Sequence, residues 1–323
     1  MARFRVMTWN VENLFEVGDE DGPETEAQLA AKIESLRAVI DAQRPDLLGL
    51  QEIGSERALE RLQGALTQPL PHSAIAAPDE RGIGVAFISR LELREPTQIR
   101  ALPAELLPVQ VGDDPPGPDP PRTMSQMGRA ALRVTVGVAG RDVFILNTHM
   151  KSKLLTFPGG FTPVDEDQRA RFGAYALYRR ASEATTIRTH LDGLLAGRGR
   201  DLPVILLGDM NDEPDAATTL ILNGPPGSEL GSEGFGRPDR GDGDRMWNTA
   251  DLIPEPRRFT RLYRGRKELL DHIFVSHVLV SGRIVEITTV AAEPGMPSIA
   301  DNPDLRVGEP GSDHAAVVAT FDI

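Results

Sequence analysis

The chain lacks several residue types, and each absence excludes a class of site. None of its 323 residues is cysteine, so disulfides and thiolate metal sites are excluded, and a bound metal must use oxygen or imidazole ligands. Aromatic residues make up only 5% of the chain, which gives little support to binding of single strands by base stacking. No apolar run approaches the roughly 18 to 20 residues that a membrane helix needs.

Positive charge is also scarce. The 48 acidic residues outnumber the 35 basic ones, and the formal net charge is -13. Proteins that bind nucleic acid through their overall field are usually basic, so a polyanion would have to be met here by a local cationic patch. Because the first strand-like segment begins at Arg3, we expect a cytoplasmic protein, or a secreted one if a leader has been removed.

Strand and helix periodicities alternate from one end of the chain to the other. Strand patterns occupy 3–9, 45–50, 83–89, 130–138, 143–147, 204–207, 269–275, 284–290 and 315–321. Helical spacing follows a capping-box pattern at Thr25 and Gln28, and it recurs at 55–66 and 167–195. This order predicts two layers of sheet flanked by helices. We expect one domain, 1–323, that is monomeric and carries long loops at 112–121, 224–245 and 293–312.

The stretch at 206–214, LLGDMNDEP, ends an apolar strand with polar residues. Asp209 and Asn211 alternate with Met210, so their side chains can point the same way from an extended backbone. Gly, Asn, Asp and Pro are also ordinary turn residues, and this segment taken alone favours a turn over an active site.

Polar groups recur at the boundaries of other apolar strands. They are Asn10 in TWNVEN, Glu52 in LLGLQE, His149 in LNTH, Asp271 and His272 in LLDHIFV, and Asp313 and His314 in SDHAA. Burying a charge without a partner is costly. Mutual contacts around a metal and a phosphate would offset that cost.

Six segments carry a resemblance to a known family. The segments TWNVENL, LLGLQEI, LNTHMKSK, LLGDMNDEP, LLDHIFVS and GSDHAAVVATF resemble, in order, the motifs of the endonuclease/exonuclease/phosphatase superfamily. The resemblance extends from Met7 to Phe321 and is to deoxyribonuclease I-like proteins, including bacterial nucleases. It implies a four-layered α/β sandwich of two packed, mainly antiparallel sheets with helices outside. It also implies a metal-dependent phosphodiester hydrolase.

The resemblance also implies a metal site. Glu52 matches the magnesium-binding glutamate, and Asn10 and Asp313 are expected to complete the oxygen shell directly or through water. Hard oxygen ligands suit Mg²⁺, and Mn²⁺ is the expected substitute. Asp209 and Asn211 match the pair that orients the attacking water and holds phosphoryl oxygens, and some relatives bind a second metal there.

Two histidines match catalytic positions of the family. His314 matches the histidine that contacts the scissile phosphate, and Asp271 matches the carboxylate that orients it. His149 matches a second phosphate-facing histidine, which acts as general acid or charge stabiliser. His272 matches no invariant position, and we expect a structural role for it.

Three basic residues are expected to contact the substrate phosphate. Arg129 in MGRAAL stands where relatives often place a phosphate-contacting arginine, and Arg81 in RGIGV and Lys151 in HMKSK are further candidates. Gly84 stands where an acid is common, so His149 is expected to lack a carboxylate partner. The wider set Lys153, Arg169 and Arg171 is compatible with either a cationic rim or a solvated surface.

The motifs favour a nuclease that hydrolyses DNA or RNA by metal-assisted attack of water. The first alternative is an enzyme that acts on a small or lipid phosphoester, like a sphingomyelinase or an inositol phosphatase, with 154–161 as an apolar loop. The second is a catalytically idle binding module. Such proteins normally lose the metal-binding or phosphate-facing residues, whereas this chain retains them.

Overall fold

The computed structural model describes residues 2–114, 120–230, 232, 235–280, 282–291, 295–299 and 306–323. Parts of the three predicted loops lie outside these residues. The helices are α1 (Glu26–Gln43), α2 (Glu56–Ala65), α3 (Glu166–Leu195), α4 (Ala217–Asn223) and α5 (His277–Val280). None of the helices in the described ranges is long and apolar enough to cross a membrane.

The strands exceed the predicted set in number. They are β1 (Arg3–Leu14), β2 (Leu47–Ile53), β3 (His72–Ile75), β4 (Gly84–Ser89), β5 (Arg94–Ala101), β6 (Val109–Gln110), β7 (Thr123–Met124), β8 (Gln126–Val138), β9 (Arg141–His149), β10 (Val204–Asp209), β11 (Met246–Asn248), β12 (Arg261–Tyr263), β13 (Arg266–Glu268), β14 (Asp271–Ser276), β15 (Ile284–Val290), β16 (Ser298–Ile299) and β17 (Ala316–Asp322).

Two six-stranded sheets form the centre of the fold. The first sheet has the order β15-β17-β1-β2-β4-β3, and the second has the order β11-β14-β10-β9-β8-β5. Each contains one parallel pair, β1 with β2 and β9 with β10, and its other neighbours are antiparallel. The carboxyl ends of both parallel pairs carry polar motif residues.

Three apolar layers hold the sandwich together. Residues such as Phe87 and Leu207 fill the space between the two sheets. Trp9 belongs to the layer that α1 and α2 cover on the first sheet, and Phe274 to the layer that α3 and α4 cover on the second. The predicted four-layered α/β sandwich, with mainly antiparallel sheets, is thereby confirmed.

Two glycines permit close contacts beside the polar strand ends. Gly208 has a φ of +139°, and a Cβ there would lie 1.9 Å from the carbonyl oxygen of Thr148. A Cβ at Gly49 would lie 2.3 Å from Leu207 of the opposite sheet. Side chains at either position would therefore separate strands that bear motif residues.

A buried polar contact joins the two sheets. Gln51 Nε2 donates to Asn147 Oδ1 at 2.7 Å, and Asn147 Nδ2 donates to the carbonyl oxygens of Leu50 and Ala86, both at 2.9 Å. These side chains stand next to Glu52 and two residues before His149. The contact thus fixes the position of one polar strand end relative to the other.

Candidate active site

Strand register lines up three polar residues across the second sheet. The parallel pairing of β9 with β10 sets His149 opposite Asp209, and the antiparallel pairing of β10 with β14 sets Asp209 opposite Asp271. All three side chains are buried. The polar end of LLGDMNDEP is therefore the middle of a row of buried polar residues as well as the start of a turn.

His314 joins this row through Asp271. Its Nδ1 lies 2.7 Å from Asp271 Oδ2, and its backbone carbonyl accepts a hydrogen bond of 2.8 Å from Trp9 Nε1. Burial disfavours the imidazolium, but the charges of Asp271 and Asp313 outweigh burial and raise the pKa of His314 to about 10. The imidazolium form is therefore favoured at neutral pH, with Nε2 as a donor.

Asp209 occupies a crowded acidic environment. Its Oδ2 accepts from Asn10 Nδ2 at 3.0 Å, and its Oδ1 accepts from the Asn211 backbone N–H at 2.8 Å. Burial and the nearby charge of Asp271 raise the pKa of Asp209 to about 7. Asn211, with φ at +53°, donates its side-chain Nδ2 to the Met150 carbonyl at 3.0 Å.

Glu52 approaches the row from the first sheet. Its Oε1 accepts from Asn10 Nδ2 at 3.0 Å and lies 3.8 Å from His149 Nε2. Asn10 Oδ1 accepts instead from the backbone N–H of Glu12, at 3.0 Å. The amide nitrogen of Asn10 therefore faces the carboxylates. Asn10 could offer its oxygen to a metal, as predicted, only after its side-chain amide had flipped.

The residues fit a divalent metal by the chemistry of their donors. The carboxylates of Glu52, Asp209 and Asp313 line one cavity, and oxygen ligands are what Mg²⁺ and Mn²⁺ prefer. Ligand atoms of Asp209, Asp271 and His314 also lie within 4.8 Å of one another, a second arrangement that could hold a metal. In this second arrangement His314 Nδ1 already contacts Asp271 Oδ2.

His149 has few partners. Its Nε2 lies 3.5 Å from Asp209 Oδ2, and its Nδ1 has no hydrogen-bond partner among the described residues. Burial, with the charges of Arg129 and His314, holds the pKa of His149 well below its usual value. The neutral ring is therefore favoured, with Nε2 facing the carboxylates of Asp209 and Glu52.

A cluster that the motifs did not reveal fixes the position of Asp313. Glu12 Oε2 accepts from the Asp313 backbone N–H at 2.9 Å and from Arg306 Nη2 at 2.8 Å. The buried Lys32 donates to the Gly311 carbonyl at 2.7 Å. Glu12 stands inside TWNVENL, but its partners are about 300 positions away, so only tertiary structure shows its contacts.

The predicted phosphate-binding cations separate into two groups. Arg129 and Arg81 line the cavity, where Arg129 Nε lies 3.1 Å from Asp79 and Arg81 Nη2 lies 2.6 Å from Asp21. Lys151 does not line it. Its Nζ donates to the carbonyl oxygens of Ser152 and Leu154, at 3.0 and 2.7 Å.

Other members of the proposed rim also differ in position. Lys153 lines the cavity, with its Nζ 3.2 Å from Asp212 Oδ1. Arg169 pairs with Glu166, and Arg171 pairs with Asp113 and Asp167, away from the cavity lining. His272 bonds the Asp212 carbonyl and faces Asn248, as a structural residue would.

The cavity has a volume of about 530 Å³. His149, Asp209 and His314 lie in it, together with Phe161 of the apolar loop. A further wall consists of Arg261, Tyr263, Arg266 and Glu268 from β12 and β13. Sequence reasoning missed this wall, although the cationic run RLYRGRK, separated from the LLDH motif only by Glu268, was a usable signal.

Comparison with known structures shows the same fold. The chain is similar to the human Nocturnin catalytic domain with bound sulfate anion, at 16% identity over 99% of this chain and 94% of that chain, TM-score 0.55. It is similar to TDP2 from D. rerio complexed with single strand DNA product, at 14% identity over 100% of both chains, TM-score 0.56. A family protein from Leptotrichia buccalis C-1013-b matches at 16% identity over 99% and 100%, TM-score 0.55.

Sequence comparison gives the family. A search of curated proteins found no match. The model of the Endonuclease/Exonuclease/phosphatase family matches residues 7–314, nearly the whole chain. The protein therefore belongs to the Endonuclease/Exonuclease/phosphatase family, a family of metal-dependent phosphodiester hydrolases.

Proposed function

We propose that this enzyme is a nuclease that hydrolyses the phosphodiester bonds of DNA or RNA with Mg²⁺ or Mn²⁺. The observation that carries the proposal is the row of His149, Asp209 and Asp271, extended by His314 and met by Glu52 from the other sheet. Glu52, His149, Asp209 and His314 line a cavity that arginines also line, and Asp271 contacts His314 behind it. Acid–base, imidazole and oxygen-donor groups thus converge at one place.

Each protein group has a separate task in this proposal. Asp209 accepts the proton of the attacking water, since a pKa near 7 suits a general base at neutral pH. Asn211 orients that water with the second N–H of its amide. The protonated His314 donates from Nε2 to a phosphoryl oxygen, and neutral His149 stabilises the same charge as a hydrogen-bond donor.

Glu52 and Asp313 are the proposed direct metal ligands. Asn10 ties Glu52 to Asp209 through its amide nitrogen, and a second metal at Asp209 and Asn211 is compatible with the same cavity. A bound divalent cation would lower the pKa of water and neutralise charge on the phosphoryl group.

Charge supports a nucleic acid as the substrate. The chain carries a formal charge of -13, yet Arg81, Arg129, Arg261 and Arg266 all line the cavity. Arg81 and Arg129 are paired with Asp21 and Asp79, so Arg261 and Arg266 supply the local positive charge that recognition of a polyanion requires. The similar D. rerio TDP2 was solved with a single strand DNA product.

A small or lipid phosphoester is the second candidate. The cavity volume of about 530 Å³ lies within the roughly 300 to 1,000 Å³ typical of small-molecule sites. Phe161, which lines the cavity, is 43% exposed, and Val164, three positions further along the chain, is 82% exposed, which favours an apolar contact with a substrate tail.

A panel assay with purified enzyme separates the candidates. Plasmid, single-stranded DNA, RNA, sphingomyelin and bis(p-nitrophenyl) phosphate are incubated with Mg²⁺ or Mn²⁺, alongside Asp209→Ala. We expect cleavage of nucleic acid that falls by about 10²–10⁴ in the variant, the usual worth of general base catalysis. Hydrolysis of sphingomyelin or only the small diester would contradict the nuclease, and near-normal turnover by Asp209→Ala would contradict the assigned base.

A further inference from the structure

One face of the β12–β13 hairpin forms a wall of the catalytic cavity. Residues two apart on a strand have side chains on the same face, so Arg261 and Tyr263 of β12 share a face. The register pairs Arg261 with Glu268 and Tyr263 with Arg266, so these two residues of β13 lie on that face as well. All four line the cavity, whereas Lys267 of the opposite face lies 4.5 Å from the ring centre of Phe259. The hairpin therefore turns a defined set of side chains toward the catalytic groups.

Three guanidinium groups surround the ring of Tyr263. The guanidinium carbons of Arg264 and Arg266 lie 5.5 Å from the ring centroid, and that of Arg261 lies 5.8 Å from it. Arg266 is exposed and makes no ion pair with any residue in the described ranges. A cation over an aromatic ring builds a layer on which a nucleobase can stack.

Hydrogen bonds and a β-bridge attach the hairpin to the start of β14 and to His314. Thr260 Oγ1 accepts from the backbone N–H groups of Leu270 and Asp271, at 3.0 and 3.2 Å. Arg261 forms a β-bridge with His314, and its Nε lies 3.9 Å from Asp313 Oδ2. At the far end of the hairpin, Arg264 and Gly265 form a tight two-residue turn with positive φ at both residues, which limits the conformations that the turn can adopt.

Positive charge is concentrated in this segment. Six of the eleven residues at 257–267 are Arg or Lys, and none is acidic. The rest of the chain is therefore even more acidic than the net charge of -13 indicates. This local positive charge in an otherwise acidic protein should attract a phosphate backbone to the hairpin.

We propose that the β12–β13 hairpin is the binding site for the strand that flanks the scissile phosphate, and that the substrate is a single-stranded polynucleotide. One base stacks on the layer formed by Tyr263 and Arg266, and Arg261 contacts the phosphate next to the one that reacts. Stacking on aromatic and guanidinium faces tolerates any base, so this site selects single strands without reading their sequence.

The inference rests on the proposed nuclease function and narrows its substrate. A base can stack on Tyr263 and Arg266 only when it is not stacked and paired within a duplex, which favours a single strand as the substrate. A small diester needs the catalytic row but extends no flanking base or phosphate to the hairpin. Catalysis and binding at the hairpin can therefore be separated by comparing substrates of different length.

The test compares hydrolysis of two kinds of substrate. One is an oligonucleotide of about 12 nucleotides that carries a fluorophore and a quencher, made as DNA and as RNA, and the other is bis(p-nitrophenyl) phosphate. The measured quantity is the ratio of kcat/KM for the oligonucleotide to kcat/KM for the small diester. In Arg266→Glu this ratio should fall by about tenfold or more, mainly through the KM of the oligonucleotide. Arg237→Glu is the matched control, because Arg237 is exposed and lies outside the cavity lining.

Salt dependence separates charge from stacking. In Arg261→Ala the slope of log KM against log salt for the oligonucleotide should become shallower by about 0.7, the value for one phosphate contact on a single strand. In Tyr263→Leu the KM should rise while the slope stays that of the wild type. Circular dichroism of each variant checks that its fold is retained.

Each outcome decides the proposal. A fall in the ratio with Arg266→Glu but not with Arg237→Glu supports it. An unchanged ratio overturns the hairpin site. Hydrolysis of the small diester without cleavage of either oligonucleotide overturns the single-strand inference while leaving a metal-dependent diesterase, and activity on neither overturns the nuclease itself.

Discussion

At the scale of single residues, neighbours decide the chemistry of each group. Asp209 and Asp271 are both buried aspartates, but Asp271 is engaged by His314, whereas Asp209 faces Asn10, His149 and the cavity. Their environments suit different tasks, orienting an imidazolium for Asp271 and accepting a proton for Asp209. The residue types were visible in sequence, whereas this division of roles depends on the contacts.

The His314–Asp271 pair should make stability depend on pH in the metal-free protein. The folded pKa of His314 is raised to about 10, against about 6.5 in an unfolded chain. A raised pKa contributes stability that is complete below the unfolded value and is lost as the pH rises through the folded value. The destabilisation caused by Asp271→Asn should therefore be largest near pH 6.5 and shrink toward pH 10.

Urea unfolding in EDTA at about pH 6.5, 8 and 9.5 measures this difference in the free energy of unfolding. His272→Asn is a useful control, because His272 is buried on the same strand without pairing to Asp271. A destabilisation by Asp271→Asn that grows between pH 6.5 and 9.5 would contradict the ion pair.

At the scale of elements, most regular structure was predictable and the short strands were not. The capping box at Thr25 and Gln28 and the N-cap at Ser55 are present, and α3 begins within one residue of its predicted start. The segments β5, β12 and β13 were missed, because they are short or rich in exposed polar residues, so their apolar alternation is weak. Neighbouring strands rather than local pattern stabilise them.

The contact between Asn147 and Gln51 should matter for both stability and activity. Asn147→Leu leaves the Gln51 amide and the carbonyl groups of Leu50 and Ala86 short of a partner, at a cost of about 1–3 kcal/mol for an unsatisfied buried group. A shift between sheets would also move Glu52 relative to His149, and a displacement of about 1 Å can lower turnover by about 10²-fold. We expect losses in both the free energy of unfolding and kcat.

The double variant Asn147→Leu/Gln51→Leu tests whether the contact itself is responsible. Replacing both partners by apolar groups should recover part of the lost stability, because fewer buried polar groups are left unpaired. Asn223→Leu is the control, since the Asn223 side-chain oxygen accepts no hydrogen bond within the described ranges. Equal losses in the control and in Asn147→Leu would count against the inter-sheet role.

At the scale of the whole molecule, the site lies where two sheets and the C-terminal segment meet. Glu52 comes from the first sheet, Asp209 from the second, and Asp313 from the segment before β17. A metal held by the proposed ligands Glu52 and Asp313 should stabilise the native state by about 2.7 kcal/mol at a concentration one hundred times its Kd. Chemical unfolding with and without Mn²⁺ measures this gain, which should disappear in Glu52→Gln.

The same measurement distinguishes the two metal arrangements. Asp271 belongs to the cluster with Asp209 and His314 but not to the proposed ligand set with Glu52. Asp271→Asn should therefore retain a Mn²⁺-dependent gain. A gain lost in Asp271→Asn and kept in Glu52→Gln would place the metal beside His314 instead.

Sequence alone determined the layered architecture, because apolar periodicity is a local property, and the resemblance of its six motifs indicated the family and the polar residues that strand register then aligns. Tertiary structure decided which cations reach the cavity: Lys153 lines it and Lys151 does not, because the Lys151 ammonium caps the carbonyl groups of its own loop. It also decided that Asn10 presents its nitrogen and that the β12–β13 hairpin stands beside His314. These features depend on contacts between residues far apart in the chain, whose packing no local pattern specifies.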